Sequence, residues 1–270
     1  LVNLPTQLKK NHGRLLIKIT RTLFLTDQHR PFHDPRAESL ALDVAQDVGV
    51  DRIFINGDLI DNTNCSMHGP KHPEIVTTLE QEFESGIDFL TDLRKRFPTQ
   101  EIIFNAGNHE YRLDRFIIQH AKPFWNMLTV QKQLQLEHFN VQYYPYNSEV
   151  QLEGSNVWCQ HSPPSYAEAG PMTSLKKKLD RTYLWGCTHR LGASYLTTAG
   201  GNLVAGYFTG WLGSTTLTEQ HKHVFSYTKG HENWQQGFAI ITIIDGVEAH
   251  IQQIPIINYR CVVDGSLYES

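Results

Sequence analysis

A chain of 270 residues, 40% hydrophobic and 19% charged, is long enough to bury a substantial core and has the composition of an ordinary globular protein. Its 24 lysines and arginines against 28 acidic residues give a net charge of −4, which excludes a whole-surface electrostatic grip on nucleic acid but not a local basic groove. No apolar run reaches transmembrane length, the first residues lack the apolar core of a secretion signal, and Cys65, Cys159, Cys187 and Cys261 show no CxxC spacing, so the expectation is a cytoplasmic protein with reduced thiols and no membrane partner.

In chain order, LLIKIT and RTLFLTD read as a strand pair, the second ending at Asp27. DPRAESLALDVAQDVG has helical spacing, with Leu40, Val44 and Val48 on one face. DRIFINGD is a short β-branched and aromatic run that stops at Gly57-Asp58. HPEIVTTLEQEFESGIDFLTDLRKRFP is a long amphipathic helix ending before Pro98. EIIFNAGN is again a buried strand stopping at glycine, and residues 111–138 are mostly helical with a break at Pro123. From Val141 the pattern changes to short strands between Gly-rich or Asp-Gly turns: VQYYP, SEVQLEG, NVWCQH, TYLWG, ASYLTTAGGNLVAGYF, GFAIITIID and GVEAHIQQIPII. With no repeat and no linker, one α/β domain over 1–270, sheets stacked and flanked by helices, is the economical architecture.

Five of these strands end by delivering polar side chains: TDQH (Asp27, His29), NGDLID (Asp58, Asp61), AGNHEYR (Asn108, His109, Glu110), WCQH (His161) and LWGCTH (Cys187, His189). Sites in α/β sheets form outside the carboxyl ends of strands, so the first three loops should converge. Carboxylates, a carboxamide, imidazoles and a thiol suit divalent transition metals, with too much nitrogen for calcium or magnesium and too much oxygen for a structural Cys₄ zinc site. The set exceeds what one ion can use, and a shared carboxylate such as Asp58 can bridge two ions about 3.5–4 Å apart.

Asp-x-His, then Gly-Asp-x-x-Asp, then Gly-Asn-His-Glu, then a lone histidine, then Gly-x-x-His, in this order and at strand ends from Leu23 to about Arg190, resembles the calcineurin-like metallophosphoesterases. The Gly-Asn-His-Glu-Tyr-Arg run is similar to bacterial and phage-encoded members. The resemblance implies a four-layer α/β/β/α sandwich of two mixed sheets, with the motif-bearing core over residues 22–192 and a β-rich stretch, residues 193–260, completing the second sheet. It implies that Asp27, His29 and His189 hold a first metal, that Asp58 bridges, and that Asn108, His161 and position 187 hold a second. His109 would protonate the leaving group, and Asp61, one helical turn past the bridge, would orient it. The implied cofactors are two divalent transition-metal ions (manganese, zinc, iron or nickel), which make hydroxide from a water held between them and neutralise the phosphoryl oxygens.

Cys187 departs from the family's usual histidine. Three readings stay open: a thiolate ligand favouring softer ions, a small buried residue beside a weak second site, or a degenerate site in a binding scaffold. Singly, Asp27 reads as a helix N-cap, Asp58 as a turn residue and His161 as a core histidine; Glu110 caps the helix that follows it. His33, four residues past His29, is a candidate to line a substrate pocket, and Arg112 and Arg190 are candidate substrate contacts, since a guanidinium fork matches phosphate; surface placement is the alternative for each. His221 and His223 read as solvated, LKKKLDR (175–181) as a charged helix face, Trp125, Tyr143 and Tyr144 as core, and Trp211 and Trp234 as core packing or a stacking platform.

The motif set implies phosphate-ester hydrolysis and leaves the ester open. Asn62 stands where protein phosphatases of the superfamily carry a phosphate-clamping arginine, which leaves a phosphodiesterase on nucleotides or nucleic acid as the lead, a phosphomonoesterase as the alternative, and a non-catalytic scaffold as a different class. A nuclease would need a groove built from Arg30, Lys71, Arg112 and the Lys176 cluster.

Overall fold

The computed structural model describes residues 17–67, 77–152, 154–166, 170–178, 180–214 and 233–270. Four strands, β1 (Ile19–Leu25), β2 (Arg52–Ile55), β3 (Glu101–Asn105) and β4 (Val141–Tyr144), lie parallel in one sheet. Its other edge is made by β10 (Gly237–Ile244), antiparallel to β1, and β11 (Glu248–Pro255), giving the order β11-β10-β1-β2-β3-β4. The second sheet runs β5-β6-β7-β9-β8, from β5 (Val150–Gln151), β6 (Val157–Gln160), β7 (Thr182–Trp185), β8 (Leu191–Thr197) and β9 (Leu203–Thr209). Within it β6, β7 and β9 are parallel while β5 and β8 are antiparallel, so both sheets are mixed.

Side-chain alternation assigns the faces. Leu23 and Leu25, Ile53 and Ile55, and Ile102 and Phe104 point to α1 (Pro35–Val48) and α2 (Leu79–Arg96), against Leu40, Val44, Phe89 and Leu90. Their sequence neighbours Phe24, Phe54 and Ile103 point the other way, onto Val157, Cys159 and Leu184 of the second sheet. Tyr183 and Trp185, flanking Leu184, face out beneath the single turn α5 (Met172–Leu175). Burial on both faces is why these strands read as continuous apolar runs. The layers are therefore helix, sheet, sheet and a thin outer helix.

Capping is local and legible. Asp34 accepts from Arg36 N–H (3.0 Å) and Ala37 N–H (3.2 Å) with Pro35 opening α1, and Gly49 ends it at φ +72°. Thr78 and Gln81 form a capping box on α2. The helix α3 (Asn108–His120) starts directly after Gly107, followed by a 3₁₀ segment, Lys122–Met127, and the single turn α4 (Val130–Gln133).

Four expectations need correction. The first described strand is one continuous β1, because no turn interrupts Thr20-Arg21 and residues 1–16 lie outside the described residues. Only residues 191–209 complete the second sheet; β10 and β11 join the first, β10 pairing with β1 across more than two hundred residues of chain and β11 pairing with β10. Past α5, Lys176–Lys178 are turns rather than a helix face, with Lys177 Nζ donating to Pro164 O (2.9 Å) and Lys178 paired with Glu149. Trp125 is 39% exposed and donates to Asp114 Oδ1 (3.3 Å), whereas Tyr143 and Tyr144 pack against the two cores. A last hairpin, β12 (Arg260–Val263) and β13 (Ser266–Glu269), packs near α1, where Arg36 lies over the ring of Tyr259. No described helix is long and apolar enough to cross a membrane.

Candidate metal centre

The loops after β1, β2, β3, β6 and β7 meet at the carboxyl ends of the parallel strands. They are stitched by main-chain bonds: His29 N–H donates to Asp58 O (2.8 Å), Asp27 N–H to Gly57 O (3.1 Å) and Gly186 N–H to His161 O (3.0 Å). Gly107 and Gly186 allow the approach. A methyl on the first would collide with Asp58 Oδ1, and one on the second with Thr26 Oγ1 and Asp27 Oδ2. To aim successive side chains inward, Asp27, His29, Asp58, Cys187 and His189 all take left-handed backbone, φ between +52° and +64°. Each such residue costs of order 1–3 kcal/mol, a strain that clusters at functional sites.

Three overlapping groups of metal-competent atoms result: Asp27, His29 and His189; His29, Asp58 and His109; Asp58, His161 and Cys187. His189 Nε2 is 3.2 Å from Asp27 Oδ1 and 3.0 Å from His29 Nε2. Asp58 Oδ2 lies 3.1 Å from His161 Nε2, 3.6 Å from His109 Nε2 and 3.8 Å from His29 Nε2. Asn108 Oδ1 sits 3.1 Å from His161 Nε2 and 3.0 Å from Cys187 Sγ, and Cys187 N–H donates to both oxygens of Asp27 at 3.0 and 2.9 Å. The sulfur is therefore among the donors rather than packed away in the core.

The imidazoles and carboxylates of the cluster hold one another charged. Burial alone would raise the Asp58 carboxyl, but His109, His161 and His29 outweigh it and hold it well below the usual range; Asp61 is lowered likewise by His109 and His29, and Asp27 by His161 and His189. Burial opposes charge on His29, yet Asp27 and Asp61 push its pKa up to about 10, and Asp58, with Cys187 and Asp27, raises His161. For His109 and His189 burial prevails and the pKa falls. Buried carboxylates are thus balanced by protons on imidazoles, the compensation a divalent cation would supply. The donor set fits such ions by charge as well as by chemistry.

Around this cluster the placement of other candidates varies. Asp61 lies in an extended loop rather than a helix, because β2 is followed by a bridge, Arg30 to Ile60, instead of a turn of helix. Its Oδ1 nonetheless lies 2.9 Å from His109 Nδ1 and 3.0 Å from His29 Nδ1. Arg112 donates from Nη2 to His109 Nε2 (2.9 Å) and from Nη1 to Asp61 O (2.9 Å). Asn62, buried, donates to His109 O (2.9 Å). Glu110 caps the turn at Gly107 N–H (2.7 Å) and also accepts from Asp58 N–H (2.9 Å) and Ile60 N–H (3.2 Å), tying the loops after β2 and β3 together. His33 Nε2 turns to Arg30 Nη1 (3.2 Å), and Arg190 donates to Tyr166 O (2.9 Å), whose hydroxyl reaches toward Cys187 Sγ (3.6 Å). Arg30 is buried against Glu38, and Lys71, His221 and His223 lie outside the described residues, so the described basic candidates form no groove.

Sequence reasoning missed what Trp211 and Trp234 pack on. Their rings cover His189, at 5.0 Å and 12° for Trp211 and 4.4 Å and 76° for Trp234. An aromatic in a Gly-rich loop reads the same whether it packs on core or on a histidine of the cluster.

A family model for calcineurin-like phosphoesterases matches residues 20–235. Comparison with curated proteins gives no match. Among solved structures, a Vps29 from Chaetomium thermophilum is 11% identical over 88% of this chain and 87% of its own, with a TM-score of 0.45. A Vps29 from Entamoeba histolytica complexed with zinc is 12% identical over 92% and 96%, TM-score 0.44. The phosphoesterase YfcE from E. coli is 12% identical over 92% and 96%, TM-score 0.40.

Proposed function

Because the chain belongs to the calcineurin-like phosphoesterase family, we propose that it hydrolyses phosphate esters with two divalent transition-metal ions, and that its substrate is a phosphodiester of nucleotide size. Asp27, His29 and His189 would hold one ion, Asn108, His161 and Cys187 the other, and Asp58 both. The observation that carries this reading is the position of Asp58 Oδ2, between His161 at 3.1 Å and His29 at 3.8 Å, one histidine from each group. The chemistry that bound ions would supply there is a nucleophile at neutral pH and neutralised charge on the phosphoryl oxygens.

The chain's own residues do the rest. Asp61 takes the Nδ1–H of His109 (2.9 Å), which fixes the ring and leaves Nε2 for proton transfer to a departing alkoxide. Arg112 sits on that nitrogen in the substrate-free site. An arriving phosphoryl oxygen is the stronger acceptor, so the guanidinium transfers to it and releases Nε2, and the anion beside His109 favours the charged ring. The same fork, aimed at a terminal phosphate, supports the phosphomonoester as second reading.

Hydrolysis of bis(p-nitrophenyl) phosphate and of its monoester, by protein loaded in turn with Mn²⁺, Ni²⁺ and Zn²⁺, separates these. Diester turnover that falls about 100-fold or more in His109→Ala is expected. Preference for the monoester moves the substrate to phosphomonoesters, and no turnover of either ester with any ion overturns the hydrolase in favour of a binding scaffold.

A further inference from the structure

We propose that Trp211 and Trp234 are positioning residues for His189, an aromatic clamp standing in for the hydrogen bond that ordinarily holds a metal-ligating imidazole; this rests on His189 being a ligand, as above. A ligating histidine almost always donates its second ring nitrogen to a carboxylate or carbonyl, which fixes the ring's direction. His29 and His161 follow that rule, through Asp61 at 3.0 Å and Asn56 O at 2.6 Å. His189 does not: its Nε2 faces Asp27 and His29, while its Nδ1 is buried with no hydrogen-bond partner among the described residues.

The ring is instead boxed by aromatics. Trp211 lies nearly parallel to it, Trp234 and His29 stand edge-on, and the two indoles brace each other at 4.8 Å and 63°. The clamp is anchored to the loops it serves. Trp211, 1% exposed, donates its main-chain N–H to Gln235 O (3.1 Å), Gln235 main-chain N–H donates to His189 O (2.8 Å), and Leu212 main-chain N–H donates to Asp27 O (3.1 Å). A segment well past the last motif thus grips both ends of the first ligand group. Coordination makes an imidazole more cationic, and an indole face is the aromatic surface that attracts a cation best. The clamp should therefore tighten on metal binding and weaken in the order Trp, Phe, Leu.

The test is titration of the full chain with Co²⁺, read by calorimetry and by tryptophan emission. The wild-type chain is expected to bind with a fall in emission. Trp211→Leu should weaken one equivalent by about 10–100-fold and Trp211→Phe by about 2–5-fold, with unchanged far-ultraviolet circular dichroism and with most of the emission change lost in Trp211→Phe. Binding by Trp211→Leu within about twofold of wild type, or a full emission change in Trp211→Phe, overturns the clamp. Should Trp211→Leu fail to fold, Trp234→Leu at the half-buried rim carries the test: about 3–10-fold weakening is expected, and none overturns the proposal. Wild-type protein that binds no Co²⁺ sinks the metal reading and the clamp together, whereas tight wild-type binding with indifferent tryptophan variants sinks the clamp alone.

Discussion

The guanidinium of Arg112 spans His109 Nε2 and the carbonyl of Asp61, so its removal leaves the fold's main-chain stitching intact while, on the proposed function, depriving a phosphoryl oxygen of a charged donor. Arg112→Met is expected to raise KM by about 10–100-fold, the scale of a charged hydrogen bond, with a smaller change in kcat, as measured by diester kinetics in Mn²⁺. Glu82 offers a test free of metal. Fully buried, its carboxyl accepts from Thr63 N–H (3.2 Å), and burial, reinforced by the charge of Asp61, pushes its pKa up to about 9. An unfolded glutamate titrates near about 4.3. Between these values the native state keeps a proton that the unfolded state releases, so stability falls as pH rises. Glu82→Gln should therefore match wild type at about pH 4 and exceed it increasingly toward about pH 8, in urea unfolding of metal-free protein; equal stability at the higher pH would refute it.

Among elements, the junction of β3 and α3 concentrates the most chemistry, since Asn108, His109, Glu110 and Arg112 all lie in the first turn and a half of one helix. Gly107→Ala keeps an allowed backbone, φ −93°, but drives a methyl into Asp58. A loss of about 1–3 kcal/mol is expected from such overpacking, with weaker metal binding, read by denaturant melts and calorimetry. At this scale the sequence was informative: the polar residues that begin at Asp27 and follow Gly57 and Gly107 stand at the carboxyl ends of strands, and that placement predicted the convergence of the three loops. How closely Gly107 and Gly186 let the loops approach is seen only in the structure. The contact of Arg112 with His109 is an i, i+3 pair on α3, and it stayed hidden because the sequence placed the helix start at residue 111, three residues late. Two other features were hidden as well. Asp61 looks helical from its spacing to Asp58, but the pairing of Arg30 with Ile60 and the hold of Glu110 on the Asp58 and Ile60 amides keep that stretch extended. Trp211 carries no mark in its neighbours of the histidine it covers.

For the whole molecule, the same limit explains β10. Its apolar pattern suits either sheet, and the choice is made by an edge of β1 laid down at the other end of the chain. Gathering Asp27, Asp58 and Asp61 in one dry pocket also means that bare protein holds compensated but costly charge. Stripping metal with a chelator should lower the melting temperature, by the equivalent of about 4 kcal/mol where free ion stands a thousandfold above Kd; identical melts with and without ion would contradict bound metal. The left-handed turns at Asp27, His29, Asp58, Cys187 and His189 have one more consequence. Glycine would occupy each of those positions more comfortably, so breeding this protein for heat resistance alone, with ions withheld, should erode the pocket before it touches the sandwich. On the proposed function, what keeps five awkward letters in place is chemistry, and idleness would spell them G.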